Sequence, residues 1–234
     1  MPTAARDYAA LAEPDLAACA RAGDRDAFRA IMQRCNQRLF RVARAVVRDD
    51  AEAEDVLQEA YTRAFAAIAG FRGEAGIATW LTRIVLNEAH GRLRARRPTA
   101  DLDEVEMAQA SAQVLPFPGR NGPEDPEADA ARAQIRRILE SAVDDLPEPF
   151  RLVFILREIE ECSTEETAQT LGIRPETVKT RLHRARKLLR VAQQYTLSAT
   201  MGDAFPFLGV RCVRMTDAVM QALAPAPPTS DSHN

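Results

Sequence analysis

The sequence contains few aromatic side chains, few histidines and no long apolar run. Aromatic residues make up 6% of its 234 positions, and only three residues are histidine. A membrane-spanning helix needs about 20 mostly apolar residues in succession, and no stretch of this chain provides them. Residues 1–15, MPTAARDYAALAEPD, lack the apolar centre of a signal peptide. We therefore expect no membrane insertion and a cytoplasmic protein.

Metal, cofactor and catalytic sites are not expected either. The cysteines form no CxxC pair and the histidines lie far apart, so zinc-site spacing is absent. We expect reduced thiols in or near a core, the usual place of free cysteine, at Cys19, Cys35, Cys162 and Cys212. No nucleophile–base pair or carboxylate pair indicates catalysis. The glycines of residues 70–76, GFRGEAG, lack the Lys-Ser/Thr ending of a phosphate-binding loop. The sequence predicts no enzyme and no cofactor.

What the chain does contain is helical periodicity, in two blocks. Alanine and arginine are abundant, which favours helices over sheets, so we predict an all-α protein. Apolar residues in the first block, residues 1–97, recur at helical spacing from Phe28 to Val46. Further helices are predicted there at 51–68 and 79–96, on either side of a glycine-rich loop. The second block, residues 133–195, has predicted helices at 133–144, 149–160, 163–171 and 175–194.

The segment between the blocks, residues 98–132, is acidic and rich in proline. It has five prolines, eight acids and two bases, and few periodic apolar residues. Such a segment cannot bury enough apolar surface to order itself, so we expect a flexible tether. Residues 196–234 form a C-terminal tail to which the sequence assigns no role. Within it Val210, Val213, Met220 and Leu223 predict a short amphipathic helix.

Residues 163–190 have the order short helix, tight turn, basic helix. Ser163 and Glu166 fit a capping box. Gly172 suits the left-handed residue after a helix, and Pro175 suits a first helical turn. This order predicts a helix-turn-helix.

The second helix of this pair concentrates positive charge in a chain whose net charge is −3. Residues 174–190 contain seven bases and one acid. At roughly 100° per residue one face is an apolar stripe and the opposite face is polar. The stripe consists of Val178, Leu182, Ala185 and Leu189, and the opposite face includes Thr180, His183 and Lys187. A solvated basic helix is the plain alternative, but the capped helix and glycine turn before it favour a polyanion-binding face.

The first block has two charged segments of opposite sign. Residues 49–59 contain six acids and no base, which suits a basic protein partner. Residues 80–97 contain five bases and one acid, and they begin with the only tryptophan, Trp80. An exposed aromatic after a glycine loop can stack on a nucleic-acid base, although core packing of Trp80 is the alternative.

These segments together resemble the extracytoplasmic-function (ECF) sigma factors of bacterial RNA polymerase. The resemblance covers about residues 15–97 and 135–192. In the first block it rests on AGDRDAF at 22–28, AEDVLQEAYTRAF at 53–65 and TWLTRIVLNEA at 79–89. In the second it rests on LPEPFRLVFILREIE at 146–160 and STEETAQTLGIRPETVKTRLHRARKLLR at 163–190. Residue Ile77 departs from the family, in which a more polar loop residue is expected.

The resemblance implies a fold and a set of roles. It implies a region-two helical bundle and a region-four helix-turn-helix, with core RNA polymerase and promoter DNA as partners and an anti-sigma factor as a further partner. The residues implied to bind core polymerase are Asp55, Gln58 and Glu59. Those implied to bind the melted minus-ten element are Phe71, Trp80, Arg83, Asn87 and Arg94. Those implied to bind the minus-thirty-five element are Lys179, Thr180, His183, Arg184, Arg186 and Lys187.

A second class of function fits the same helix-turn-helix. A two-module regulator would bind duplex DNA without polymerase, through the same basic helix and under the control of a sensing N-terminal domain. Binding to duplex DNA alone distinguishes the regulator, since a sigma factor requires core polymerase.

Overall fold

The computed structural model describes residues 7–96, 139–189, 207 and 209–223. Every regular element in these residues is a helix or helical turn, which confirms the all-α prediction. None of the helices within these ranges combines the length and apolar character that a bilayer crossing requires. The predicted tether, residues 98–132, and most of the C-terminal tail lie outside the described residues.

The first block contains four α-helices. They are α1 Glu13–Arg21, α2 Arg25–Val47, α3 Asp50–Ala67 and α4 Ile77–Arg96, with a 3₁₀ turn at Ile68–Gly70. The second block contains helical residues 139–144, α5 Glu148–Phe154, a π-helical turn Ile155–Ile159, α6 Thr164–Leu171 and α7 Pro175–Leu189. A last helix, α8, spans Val210–Ala222.

Acidic caps and a shared core define the first block. The Asp24 carboxylate accepts the N–H groups of Asp26 and Ala27 at the start of α2, and Asp49 caps α3 in the same way. Between these helices Arg48 takes the left-handed conformation, with φ of 61°. The apolar positions that the periodicity predicted from Phe28 to Val46 are all buried in this core. The core includes Phe28, Ile31, Leu39, Val56, Leu57, Tyr61, Leu81 and Val85, each at most 1% exposed.

Helix α4 begins two residues before its predicted start. The N–H of Ile77 donates to Glu13 Oε1 over 2.7 Å, so a side chain of α1 caps α4. The Ile77 side chain is 3% exposed. At this position the chain therefore has a core residue of the helix, where a polar loop residue was expected.

The second block contains the predicted helix-turn-helix, α6 and α7. Ser163 Oγ accepts the N–H of Glu166 over 2.9 Å, and Gly172 ends α6 with φ of 66°. The predicted helix at 149–160 is interrupted, because α5 widens into the π-helical turn. That turn keeps Ile155, Leu156 and Ile159 buried.

The two blocks pack on each other, a contact that the sequence did not predict. The second block contributes carboxylates and α2 contributes guanidinium groups. The ion pairs are Arg41–Glu160 at 2.7 Å, Arg44–Asp144 at 2.7 Å and Arg38–Glu166 at 2.9 Å. The predicted capping box is therefore half correct, since the Glu166 carboxylate contacts Arg38 and Thr79 rather than reaching back toward Ser163.

Helix α8 packs on α2 and α3. Val210 and Val213 are 82% and 58% exposed. The buried face consists of Met215, Thr216, Val219 and Met220. The prediction of a short amphipathic helix is confirmed, but two of the four apolar residues named for it, Val210 and Val213, lie outside the buried face. Buried Thr216 explains the difference. Because this residue is polar, the packed face could not be recognised from the spacing of apolar residues.

Candidate nucleic-acid and protein interfaces

The outward face of α7 presents all six side chains that were predicted to contact the upstream promoter element. Lys179, Thr180, His183, Arg184, Arg186 and Lys187 are all exposed. On the opposite side Val178, Leu182 and Ala185 are at most 8% exposed, so the helix cannot rotate without exposing its stripe. Leu189, at the end of the stripe, is half-buried.

Two of these six side chains have partners within the block. Thr180 Oγ1 donates to the Glu176 carbonyl over 2.9 Å. Arg186 pairs with Glu158 of the π-helical turn at 2.7 Å, in a surface ion pair. Arg186 is thus held against its own block, further from the helix start than Thr180 and His183.

At the glycine loop the aromatic residues are packed together. Phe71 is 8% exposed, and its ring lies 5.3 Å from that of Trp80 at an angle of 49°. Trp80 itself is half-buried. Phe71 was expected to contact the minus-ten element directly. Its position is that of a core residue that supports Trp80, because a buried ring offers no face on which a base could stack.

The first half of α4 lies against the second block through Arg83. Arg83, Asn87 and Arg94 are exposed, as their predicted role requires. Arg83 Nε donates to the Gln169 carbonyl of α6 over 3.1 Å. Arg83, Asn87 and His90 line one side of a groove between the blocks, with Glu148 and Arg181 among the residues of the other side. His90 Nε2 lies 2.9 Å from Glu148 Oε1.

The acids of α3 are neutralised within the fold. No base occurs among residues 49–59, yet arginines from α2, α4, α8 and the later part of α3 itself pair with these acids. The ion pairs are Asp50 with Arg44 and Arg211, Glu52 with Arg96, Glu54 with Arg211 and Arg214, Asp55 with Arg92, and Glu59 with Arg63. A segment with no base of its own is thus paired with arginines from other parts of the fold.

The acids nevertheless differ in how accessible they are. Asp55 and Glu59, both predicted to bind polymerase, have side chains that are 61% and 47% exposed. Gln58, predicted with them, is half-buried. Glu54 is only 12% exposed, because α8 covers it. Asp55 and Glu59 thus form the open edge of this helix, and Glu54 lies on its covered edge.

The cysteines occupy the positions expected of structural thiols. None of the four takes part in a disulfide; Cys35 and Cys162 are buried, and Cys19 and Cys212 are half-buried. Burial raises the pKa of Cys35 to about 12 and that of Cys162 to about 11. Both thiols therefore stay protonated at neutral pH, which makes them poor nucleophiles.

Sequence reasoning missed the residues that join the blocks. Arg151 of α5 is 3% exposed and donates to the carbonyl of Ala45 in α2. A signal for this contact was present in α2, where arginines recur at helical spacing through an apolar helix. They are Arg34, Arg38, Arg41 and Arg44, and Arg48 follows directly after the helix. Where such a stripe is buried, its guanidinium groups require acids or carbonyl groups as partners.

This geometry defines a class of protein. A helix-turn-helix whose second helix is exposed and basic is built to bind duplex DNA, and a second helical unit lies beside it.

Comparison with known proteins specifies the class. Residues 31–99 match the family model described as sigma-70 region 2, and residues 136–189 match sigma-70, region 4. The chain is 32% identical over 177 residues to the RNA polymerase sigma-H factor of Pseudomonas aeruginosa, covering 74% of this chain and 89% of that one. It is 32% identical over 168 residues to the ECF RNA polymerase sigma factor SigW of Bacillus subtilis, covering 72% and 89%.

A solved structure agrees with these relatives. CnrH, in complex with the cytosolic domain of CnrY, is similar with a TM-score of 0.54 and 26% identity, over 76% of this chain and 94% of that one. The chain belongs to the ECF sigma factors of the sigma-70 family. It binds core RNA polymerase, recognises promoter DNA and promotes its melting for transcription initiation.

Proposed function

We propose that the family's tasks are divided between the two blocks. Residues 133–195 read the minus-thirty-five element, and residues 1–97 dock on core polymerase and hold the melted minus-ten strand. Neither block carries out covalent chemistry in this proposal. The exposed polar face of α7, opposite its buried stripe, is the observation that supports the division most strongly.

The position of each side chain along α7 suggests its task. Thr180 and His183 lie near the N-terminal end, which in helix-turn-helix proteins enters the major groove. Arg184 lies one turn beyond Thr180, and its guanidinium can make a bidentate contact with guanine. Arg186 and Lys187 lie further along, where phosphate contact is the expected role. Lys179 lies at the edge of this exposed face of α7.

Asp55 and Glu59 are proposed to contact a basic surface of core polymerase, next to Gln58. The side chains of their partners Arg92 and Arg63 are 34% and 61% exposed, and ion pairs that are this open to solvent contribute only about 0–1 kcal/mol. A basic partner can therefore exchange for these arginines at small cost, and it gains electrostatic complementarity with the acids.

The minus-ten site requires a rearrangement. Arg83 and Asn87 line the groove between the blocks, so single-stranded DNA can reach them only when α6 moves away from α4. Arg94 lies further along α4 and is exposed. We infer that the packed arrangement is a resting form and that promoter binding separates the blocks.

Regulation and location follow the family pattern in this proposal. CnrH was solved with the cytosolic domain of CnrY bound. A comparable protein partner, an anti-sigma factor, would act on this chain by holding the blocks in one arrangement. The protein would work in the cytoplasm, where core polymerase and promoter DNA are located.

Base reading by α7 is tested by transcription with holoenzyme on a library randomised through the upstream element. Arg184→Ala should cost roughly 1–3 kcal/mol at one base position and relax preference there. Lys187→Ala is the matched control on the same face. This variant should weaken binding to all promoter sequences about equally. It should also lower the magnitude of the slope of the logarithm of the binding constant against the logarithm of the salt concentration by about one. If Arg184→Ala weakens every promoter by the same factor, Arg184 does not read a base.

A further inference from the structure

Helix α8 is attached to the first block by a set of specific polar contacts. Asn36 of α2 is 1% exposed, and its Nδ2 lies 2.8 Å from Cys212 Sγ and 3.0 Å from Thr216 Oγ1. The same amide accepts the hydroxyl of Tyr61 through Oδ1 over 2.8 Å. Without α8 the amide N–H groups of Asn36 would lose both partners, so this surface of α2 is shaped to receive a helix.

Aromatic packing holds Phe207, which precedes α8 in the chain, against α2. The ring of Phe207 stacks on Phe40 of α2 with centroids 4.2 Å apart and an angle of 6°. Phe207 is fully buried, and its N–H donates to Gln37 Oε1 over 2.7 Å. The Arg211 guanidinium lies 5.2 Å from the centroid of the Phe40 ring, in a cation–π contact.

The acidic helix α3 provides the ionic half of the contact. Arg211 reaches both Asp50 and Glu54, at 3.1 Å and 2.7 Å, and Arg214 reaches the other oxygen of Glu54 at 2.9 Å. At the opposite end of α8, Arg29 pairs with Asp217 at 2.9 Å. Helix α8 thus presents two cations to Asp50 and Glu54 of α3.

We propose that α8 is an intramolecular ligand that competes with core RNA polymerase for the acidic surface of α3. Glu54 and Asp50 lie one and two turns before Gln58 on the same stripe of the helix, so α8 pairs with the acids that continue the proposed docking face. A basic polymerase surface and the arginines of α8 then compete for binding to the same carboxylates. This inference rests on the proposed role of Asp55 and Glu59.

Competition of this kind lowers the apparent affinity for polymerase. The apparent affinity is the intrinsic affinity multiplied by the fraction of molecules in which α8 is released, so weakening the contact of α8 should raise it. Removing the three ion pairs of Arg211 and Arg214 should increase core affinity by about threefold or more, given the usual strength of partly exposed pairs.

The test uses the full chain with two charge-matched double variants. Arg211→Gln with Arg214→Gln removes the contact, and Val210→Glu with Val213→Glu changes the outward face of the same helix. Each lowers the net charge by two. Release of α8 is measured as the rate of Cys212 alkylation by iodoacetamide, read by mass spectrometry. Affinity is measured by titrating core polymerase into labelled protein.

The arginine variant should show faster Cys212 alkylation and tighter core binding, and the valine variant should change neither. Adding core polymerase to the unaltered chain should also speed alkylation of Cys212. Unchanged core affinity in the arginine variant, or slower or unchanged alkylation on adding polymerase, would overturn the competition. Failure of the proposed docking role is distinguishable, because Asp55→Lys with Glu59→Lys would then leave core binding intact.

Discussion

Arg151 connects the two blocks, and its replacement by leucine should destabilise the folded chain strongly. Its Nε donates to the Ala45 carbonyl of α2 over 2.5 Å. Its Nη1 donates to the carbonyls of Asp144 and Leu146 over 2.5 and 2.8 Å. Burial lowers the pKa of Arg151 below its usual value, with a further contribution from nearby Arg48. The side chain is thus a buried cation that carbonyl groups stabilise.

The expected loss follows from these contacts. Arg151→Leu leaves three carbonyl groups without this donor, and hydrogen bonds to a charged group contribute about 1.5–3 kcal/mol each. Removing the cation also removes its desolvation cost, which offsets part of the loss. We expect the free energy of unfolding to fall by about 3 kcal/mol. With a urea slope of about 2 kcal/mol/M, the midpoint should fall by about 1.5 M.

The assay is urea unfolding followed by circular dichroism, with two companion variants. Arg72→Leu, at a side chain that is 83% exposed, should change the free energy by less than about 0.5 kcal/mol. Arg151→Lys keeps the charge without the planar guanidinium group. Its urea midpoint should lie between those of the leucine variant and the unaltered chain. If Arg151→Leu unfolds at the same urea concentration as Arg72→Leu, the assigned role of Arg151 is wrong.

Two other predictions concern DNA capture and pH. Arg83→Ala with Asn87→Ala should weaken binding of holoenzyme to single-stranded minus-ten DNA, because both line the inward face of α4; unaltered permanganate reactivity of promoter thymines would contradict this. Burial raises the pKa of Cys35 from 9.0 to about 12, so its contribution to stability is complete below pH 9.0 and is lost as the pH rises toward 12. Cys35→Ala should flatten this part of the alkaline decline in unfolding free energy, and an unchanged slope would argue against it.

Local features of this fold were readable from the sequence because their causes are local. Capping by Ser163, the left-handed Gly172 and the stripe from Val178 to Ala185 each depend on residues within a few turns. The exposed face of α7 follows from that stripe, since burying one side of a helix fixes the other. For the same reason the six side chains predicted on α7 are all exposed.

Contacts between distant segments were not readable in the same way. The acids of α3 meet arginines up to about 160 residues away, as in the pair Arg211–Glu54, and no spacing rule links such positions. Phe71 lies in the glycine-rich loop of the sequence, yet its ring packs against Trp80. Helix α8 packs through a face that includes Thr216, whose partner Asn36 lies on α2. Each case depends on tertiary packing, which overrides local pattern.

Promoter-dependent transcription tests the central claim most directly. Purified chain is mixed with core polymerase on a genomic promoter library, beside a variant with Asp55→Lys and Glu59→Lys whose helical content is checked by circular dichroism. The account predicts promoter-selective transcripts with the unaltered chain, none above background with the folded variant, and no selective duplex binding without polymerase. Equal transcription by the variant, or selective duplex binding by the free chain, would contradict it.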